Sequence, residues 1–130
     1  MTIEFLHVCD YAFQCERGKP CIVGITEAVI AQGFPAECSV VTVAIEHRGA
    51  PLERGWLTCQ VLQPNAEVLG ALDYDIQLDA AGRRFMAHTI LRATFPQAGT
   101  YTFRVTAGEQ TLAEKSIRVR LPIEETGALN

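Results

Sequence analysis

Residues 68–78 read VLGALDYDIQL, and the pattern of these side chains indicates the fold class. From residue 72 onward, apolar and polar side chains alternate without interruption. The apolar positions are Leu72, Tyr74, Ile76 and Leu78, and the polar positions are Asp73, Asp75, Gln77 and Asp79. A period of two is typical of a β-strand with one buried face and one solvated face. The sequence DAAG at residues 79–82 then predicts a tight turn.

The rest of the chain repeats this pattern of short extended runs separated by turns. Val, Ile and Thr make up 30 of the 130 residues, and their β-branched side chains favour extended backbone. The predicted strands are residues 3–13, 21–26, 38–47, 56–63, 68–78, 84–95, 101–107 and 111–121, with one helical turn at 26–32. This spacing predicts an all-β protein, an antiparallel β-sandwich of about seven to nine strands. We expect one domain, residues 1–121, and a loose C-terminal tail, residues 122–130.

Composition and charge exclude several classes of partner. The chain carries 11 Lys and Arg against 15 Asp and Glu, a net charge of −4, so we expect no nucleic-acid partner. The longest apolar stretch, residues 21–34, is too short to span a bilayer and is interrupted by Glu27 and Gln32, so we expect no membrane partner. Glycine-rich phosphate loops are absent, and no cofactor is expected.

The compartment is predicted from the N-terminus and the cysteines. The opening residues MTIE have neither the basic nor the apolar segment of a secretory signal. Five cysteines are an odd number, which does not suit a disulfide framework. The sequence therefore predicts a cytoplasmic protein with reduced thiols.

The stretch FPQAGTYTFRV, residues 95–105, resembles the start of strand F in immunoglobulin-like folds. The resemblance implies that Tyr101 forms the tyrosine corner, in which a tyrosine hydroxyl bonds to upstream backbone. Phe103 takes the place of the second cysteine of a true immunoglobulin domain, so Cys38 has no disulfide partner on strand F. Trp56 is expected either as the buried tryptophan of strand C or, because it lies early, as a cap on one end of the sandwich. The fold class is thus an immunoglobulin-like β-sandwich.

The whole chain also resembles a family of small uncharacterised bacterial proteins, a domain of unknown function. The resemblance rests on IEFLHVCDYA at residues 3–12, Gly18-Lys19, Phe34-Pro35 and residues 95–101. It implies the fold and a bacterial cytoplasmic origin. It implies no reaction and no site residues.

Three cysteines recur every six residues at positions 9, 15 and 21. A hairpin centred on Gly18 would place Cys15 directly opposite Cys21. One hypothesis is a thiol-based redox pair or part of a metal site that uses Cys9, Cys15 and Cys21. The spacing fits no common thiolate site, so small buried apolar side chains are the favoured interpretation.

Other chemical constellations are weaker. His7 and Cys9 share a strand face, whereas Asp10 points to the opposite face, which argues against a catalytic triad. His7, His47 and His88 are predicted to be structural, and no catalytic residue is expected. Asp73, Asp75 and Asp79 could offer oxygens to Ca²⁺, but a solvated strand face is the favoured interpretation.

The first strand is apolar on both faces. Ile3, Phe5, Cys9, Tyr11 and Phe13 fall on one face, and Leu6, Val8 and Ala12 fall on the other. An N-terminal strand normally lies at a sheet edge, so the second apolar face predicts a partner. We expect a homodimer or larger homo-oligomer built on the hairpin 3–26, with Phe5, Leu6, Val8, Tyr11 and Phe13 at the interface. The alternative is that residues 26–34 fold over the outer face.

These observations favour a non-catalytic binding or assembly module of the bacterial cytoplasm, with an unknown protein partner as a further option. Two alternatives stay open. One is the small thiol-based redox or metal-binding protein described above. The other is a sandwich that binds a small molecule or sugar through loops such as residues 48–55.

Overall fold

The computed structural model describes residues 1–122 and contains nine β-strands. They are β1 (Thr2–Gln14), β2 (Pro20–Ile25), β3 (Ala28–Ile30), β4 (Ala36–Arg48), β5 (Arg54–Leu62), β6 (Val68–Gln77), β7 (Arg83–Phe95), β8 (Gly99–Ala107) and β9 (Gln110–Arg120). A single 3-10 turn, Glu16–Gly18, joins β1 to β2. Within residues 1–122, no helix is long and apolar enough to cross a membrane. Apart from Pro122, the tail predicted for residues 122–130 lies outside the described residues.

The strands form two facing sheets. One has the order β2-β1-β4-β7, and the other has the order β3-β9-β8-β5-β6. If β1, β4 and β7 are taken as strands A, B and E, then β5, β6, β8 and β9 are C, C′, F and G, which is the immunoglobulin arrangement. The prediction of an all-β, immunoglobulin-like sandwich of seven to nine strands is confirmed.

The predicted helical turn at residues 26–32 is wrong. The segment contains the short strand β3, which runs parallel to β9 and is the one parallel pairing among the described strands. The amide of Ala31 donates to the carbonyl of Arg120 at 2.8 Å, and the amide of Arg118 donates to the carbonyl of Glu27 at 3.0 Å. Pairing with a sheet edge satisfies these backbone groups, which a lone helical turn would leave to water.

The core lies between the sheets and is centred on Tyr101, which is fully buried. Its hydroxyl donates to the carbonyl of Gln97 at 2.7 Å and accepts from the amide of the same residue at 3.1 Å. This is the contact expected of a tyrosine corner. Phe95 meets the Tyr101 ring edge-on, with centroids 4.9 Å apart, and Phe103 is also fully buried.

Trp56 is not a core residue and does not cap the sandwich interior. It is 66% exposed and stands on the outer face of β5, opposite Asp75 of β6. The next residue, Leu57, points inward and is buried. The side-chain period of two explains the error, since a shift of one residue moves a side chain to the other face.

The interface predicted for β1 is wrong for Leu6 and Val8. Both are buried between the two sheets and belong to the main core. The strand is central, between β2 and β4, rather than at an edge. Its inner face therefore has its partners within the same chain.

The outer face of β1 is covered by the β1–β2 hairpin itself. Ala12 and Ile22 of this hairpin pack against Cys9, Ala44 and Phe85, which lie on the outer face of the four-stranded sheet. The chain beyond Asp10 no longer pairs with β4 and bends back across this face. Residues 26–34 do not supply the cover, because β3 belongs to the other sheet.

Gly24 allows this bend. Its φ is 69°, and a Cβ at this position would collide with the carboxylate of Asp10. The hairpin leaves Tyr11, Phe13 and Ile25 about half exposed, at 53%, 46% and 53%. Of the predicted interface residues, Tyr11 and Phe13 are therefore exposed, whereas Phe5 is partly covered beside Phe85, with ring centroids 6.2 Å apart.

Candidate functional site

The sandwich is open along one side, between β6 and β7. Each of these strands is the edge of its own sheet. The turn at residues 79–82 joins them at one end, where the amide of Gly82 donates to the carbonyl of Asp79 at 2.9 Å. From this joined end the two strands run toward Val68 and Phe95, and the cleft between them has its open end there.

Two adjoining cavities form this cleft, with volumes of about 320 and 250 Å³. They share the lining residues Val61, Gly70 and Ile90. The shared lining is apolar, and Leu72 at the rim is 47% exposed. Together the cavities are within the size range of small-molecule sites.

Gly70 makes the cleft possible. It pairs with Val61, whose side chain points inward, so a side chain at position 70 would enter the cleft. A Cβ built there meets no heavy atom within 4 Å. The missing side chain therefore accounts for part of the open volume.

A polar network lies at the joined end of the cleft. The Nδ1 atom of His47 is 2.9 Å from the carbonyl oxygen of Arg84, which can only accept. His47 therefore donates from Nδ1, and its Nε2 accepts from the hydroxyl of Tyr74 at 2.8 Å. The Tyr74 ring packs on the ring of His88, with centroids 4.6 Å apart.

His88 has a free hydrogen-bonding atom in the cleft lining. Its Nε2 is buried and has no hydrogen-bond partner among the described residues, and the side chain lines the smaller cavity. Burial lowers the pKa of His88 below its usual value, so the ring is neutral near pH 7. The smaller cavity thus combines apolar walls with one unsatisfied polar atom.

Burial also sets the protonation states of the neighbouring groups. It lowers the pKa of His47 to about 4 and raises the pKa of the Cys59 thiol to about 11. The pKa of the Tyr74 phenol is raised, chiefly by burial. All of these groups are neutral near pH 7, so the network carries no fixed charge. The charged residue among those lining the two cavities is Arg92, which is exposed and lines the larger one.

The three N-terminal cysteines are not brought together. Cys9 lies under the hairpin and donates from its thiol to the carbonyl of Thr42 at 3.6 Å. Cys15 and Cys21 are neighbours at the hairpin tip, and the pKa of Cys21 is raised by burial and by the adjacent Cys15 thiol. They are diagonal rather than directly opposite, because Cys21 pairs with Phe13 and the hairpin is centred one residue before Gly18.

Other proposed constellations are also separated. His7 stacks on Phe5, with ring centroids 5.3 Å apart. Asp73 and Asp75 are exposed on the outer face, and Thr58 donates to Asp73 at 2.6 Å. Across residues 1–122, no three His, Cys, Asp or Glu side chains come close enough to hold a metal ion.

Sequence reasoning missed the cleft. It placed Tyr74 on a buried face and His88 within a strand, but gave no sign that both strands are edges. The sequence signal that could have revealed the cleft is Gly70 within an apolar run. A glycine inside a strand often marks a site where a ligand or another segment of backbone approaches closely.

Comparison with known proteins gives a family and two structural likenesses. A family model described as a family of unknown function, DUF6941, matches residues 4–120. No curated protein matches the sequence significantly.

Among solved structures, an immunoglobulin-like protein from Pseudomonas aeruginosa is 18% identical, with a TM-score of 0.47. The match covers 92% of this chain and 95% of that one. An alkylpurine DNA glycosylase, AlkC, from Pseudomonas fluorescens, bound to DNA containing an abasic site analogue, is 6% identical with a TM-score of 0.47. The match covers 88% of this chain and 30% of the glycosylase chain.

Proposed function

The chain belongs to the DUF6941 family of unknown function, and we propose that it is a non-catalytic binding module. Its ligand is a small, mainly apolar molecule with one hydrogen-bonding group. The site is the cleft between β6 and β7. The single observation that carries this proposal is the unpartnered, buried Nε2 of His88 in an apolar cleft.

The physical argument is the cost of leaving that atom unsatisfied. A buried polar atom without a partner costs about 1–3 kcal/mol, which a ligand group would recover on binding. The apolar walls supply the remaining affinity by removing the ligand from water. The smaller cavity, where His88 lies, is lined by neutral side chains, which disfavours ionic ligands there.

A matched pair of probes tests the proposal. p-Cresol carries an aromatic ring and one hydroxyl, and p-xylene has the same shape with a methyl group in place of the hydroxyl. We expect p-cresol to bind more tightly, because its hydroxyl can donate to Nε2 of His88. Isothermal titration calorimetry measures both affinities, and equal affinities or no binding would overturn the assignment.

Two glycine variants locate the binding. Gly70→Leu fills the cleft and should abolish p-cresol binding. Gly33→Leu is the matched control, since a Cβ at Gly33 also meets no heavy atom within 4 Å and Gly33 lies outside the cleft lining. Unchanged p-cresol binding in Gly70→Leu would place the ligand elsewhere.

We also propose that the chain forms a homodimer through the outward face of the β1–β2 hairpin. The apolar residues on that face are Tyr11, Phe13 and Ile25, each about half exposed. The rings of Tyr11 and Phe13 stack with centroids 6.3 Å apart, which preforms an apolar surface. Exposed aromatic side chains of this kind are enriched at protein interfaces.

The proposed compartment is the bacterial cytoplasm. All five cysteines are free. Reducing compartments maintain thiols in this state, whereas secreted domains of this size often carry disulfides.

A further inference from the structure

A separate cavity lies beneath the tip of the β1–β2 hairpin, on the opposite side of the four-stranded sheet from the cleft. Its volume is about 400 Å³. Its lining residues are Gln14, Arg17, Gly18, Lys19, Pro20, Glu46, Asp79, Ala81, Arg83, Arg84 and Phe85. The hairpin forms one wall, and the outer face of β4 and β7 forms the other.

Glu46 is the unusual member of this lining. Its side chain is on the outer face of β4, yet it is only 3% exposed, because the hairpin covers that face. One carboxylate oxygen, Oε1, is 3.5 Å from Nε of Arg83. The other, Oε2, is buried and has no hydrogen-bond partner among the described residues. Buried carboxylates ordinarily have donors for both oxygens.

The other charged residues of the lining are mainly basic. Arg17 and Lys19 come from the hairpin, and Arg83 and Arg84 come from β7. The other acidic residue, Asp79, already accepts from the amides of Ala81 and Arg83, each at 2.9 Å. The cavity therefore offers one unpaired carboxylate oxygen within a surplus of positive charge.

We propose that this cavity binds a small zwitterion of the amino-acid class, through its ammonium and carboxylate groups. The ammonium donates to Oε2 of Glu46, and the carboxylate accepts from Arg17 and Lys19. An anion without an ammonium group would leave Oε2 of Glu46 unpaired and would be repelled by its negative charge. A cation without a carboxylate group would be repelled by the excess of basic side chains. A ligand with both charges satisfies both parts of the lining.

Single-charge analogues test the proposal. The twenty free L-amino acids are titrated into the full chain by calorimetry, and each one that binds is compared with its decarboxylated amine and its deaminated acid. We expect at least one amino acid to bind, and both analogues to bind more weakly by about tenfold or more, since each loses a charge-assisted contact. No binding by any amino acid at millimolar concentration, or equal binding by an analogue, would overturn the proposal.

Variants assign the binding to this cavity. Glu46→Gln should weaken amino-acid binding by about tenfold or more, whereas Glu37→Gln, an exposed position on the same strand, should leave it unchanged. Arg17→Gln should also weaken amino-acid binding, and this variant provides the test if Glu46→Gln fails to fold. Glu46→Gln should not alter p-cresol binding in the cleft, so the two proposals fail independently. Amino-acid binding that survives both Glu46→Gln and Arg17→Gln would contradict the assignment.

Discussion

The hydroxyl of Tyr74 donates to Nε2 of His47 across the joined end of the cleft, at 2.8 Å. Tyr74 belongs to the five-stranded sheet and His47 to the four-stranded sheet, so this bond links the two layers. It requires a neutral His47 ring, because a protonated Nε2 cannot accept. The stability of the sandwich is therefore coupled to the charge of His47.

This coupling predicts a loss of stability in mild acid. The pKa of His47 is lowered from 6.5 to about 4, mainly by burial, so below pH 6.5 the unfolded chain binds a proton that the folded chain does not. The stabilisation is fully present above pH 6.5 and is lost as the pH falls toward 4. His47 contributes about 3 kcal/mol to this fall in the free energy of unfolding, and His88, whose pKa burial also lowers, adds to it.

Urea denaturation at a series of pH values measures this slope, and His47→Gln is the control. A glutamine amide can still donate to the Arg84 carbonyl and accept from Tyr74, but it does not titrate. The variant should show a flatter profile between pH 6.5 and 4.5. The lowered pKa values of Glu53 and Asp79, which their backbone hydrogen bonds cause, affect stability only at lower pH. A slope that is the same in both proteins would refute the assignment.

Tyr101→Phe should lower the free energy of unfolding by about 1–3 kcal/mol without changing the fold. The hydroxyl makes two hydrogen bonds with the backbone of Gln97, and phenylalanine leaves both groups unpaired. Tyr11→Phe is the matched control, because Tyr11 is half exposed and has no such bond; its effect should lie within about 0.5 kcal/mol. Chemical denaturation monitored by circular dichroism measures the stability of both variants. Equal stabilities of Tyr101→Phe and Tyr11→Phe would contradict the assignment of Tyr101 as a tyrosine corner.

The proposed dimer predicts a solution mass of twice 14.3 kDa. The double variant Tyr11→Ser/Phe13→Ser should return the mass to that of one chain, because it removes the outward aromatic surface. Leu6→Glu has a different expected effect: it places a charge in the core and should unfold the sandwich rather than dissociate the dimer. Light scattering and circular dichroism record both results, and a wild-type mass near 14.3 kDa would end the proposal.

Thiol reactivity should follow burial. In denaturant without reductant, alkylation should modify all five cysteines. In native buffer, exposed Cys15 should react first, whereas Cys9 and Cys59 should react last, since burial raises both thiol pKa values. Mass spectrometry after a time course gives the order. Fast labelling of Cys59 would show that the sandwich interior is open to solvent.

The sequence was most informative for strands whose side chains alternate regularly between a buried face and an exposed face. The alternation from Leu72 to Leu78 predicted β6 and its solvated face, and residues 95–105, which contain Tyr101, indicated the immunoglobulin-like sandwich. The same pattern could not reveal that β1 is central, because an apolar outer face looks alike whether a partner or the chain's own hairpin covers it. The fold-back of the hairpin depends on contacts of Ala12 and Ile22 with residues distant in sequence.

The candidate sites were less predictable for a related reason. His88 and Glu46 are ordinary strand residues in sequence. Their distinguishing property is an unsatisfied buried atom, which arises only when strands distant in sequence come together. Trp56 was mispredicted for a different reason. Tryptophan is typical of protein cores, but the strand places Leu57 inward, so Trp56 beside it points to the outer face.

Binding of a ligand in the cleft between β6 and β7 is tested most directly by two-dimensional nuclear magnetic resonance, which maps the shifts of backbone amides during titration with p-cresol. We expect the largest shifts at Gly70, Leu72, His88 and Ile90, which line the cleft. We also expect His88→Phe to remove the preference for p-cresol over p-xylene. Shifts confined to the hairpin, or a preference that survives in His88→Phe, would contradict the proposal that this cleft is the binding site.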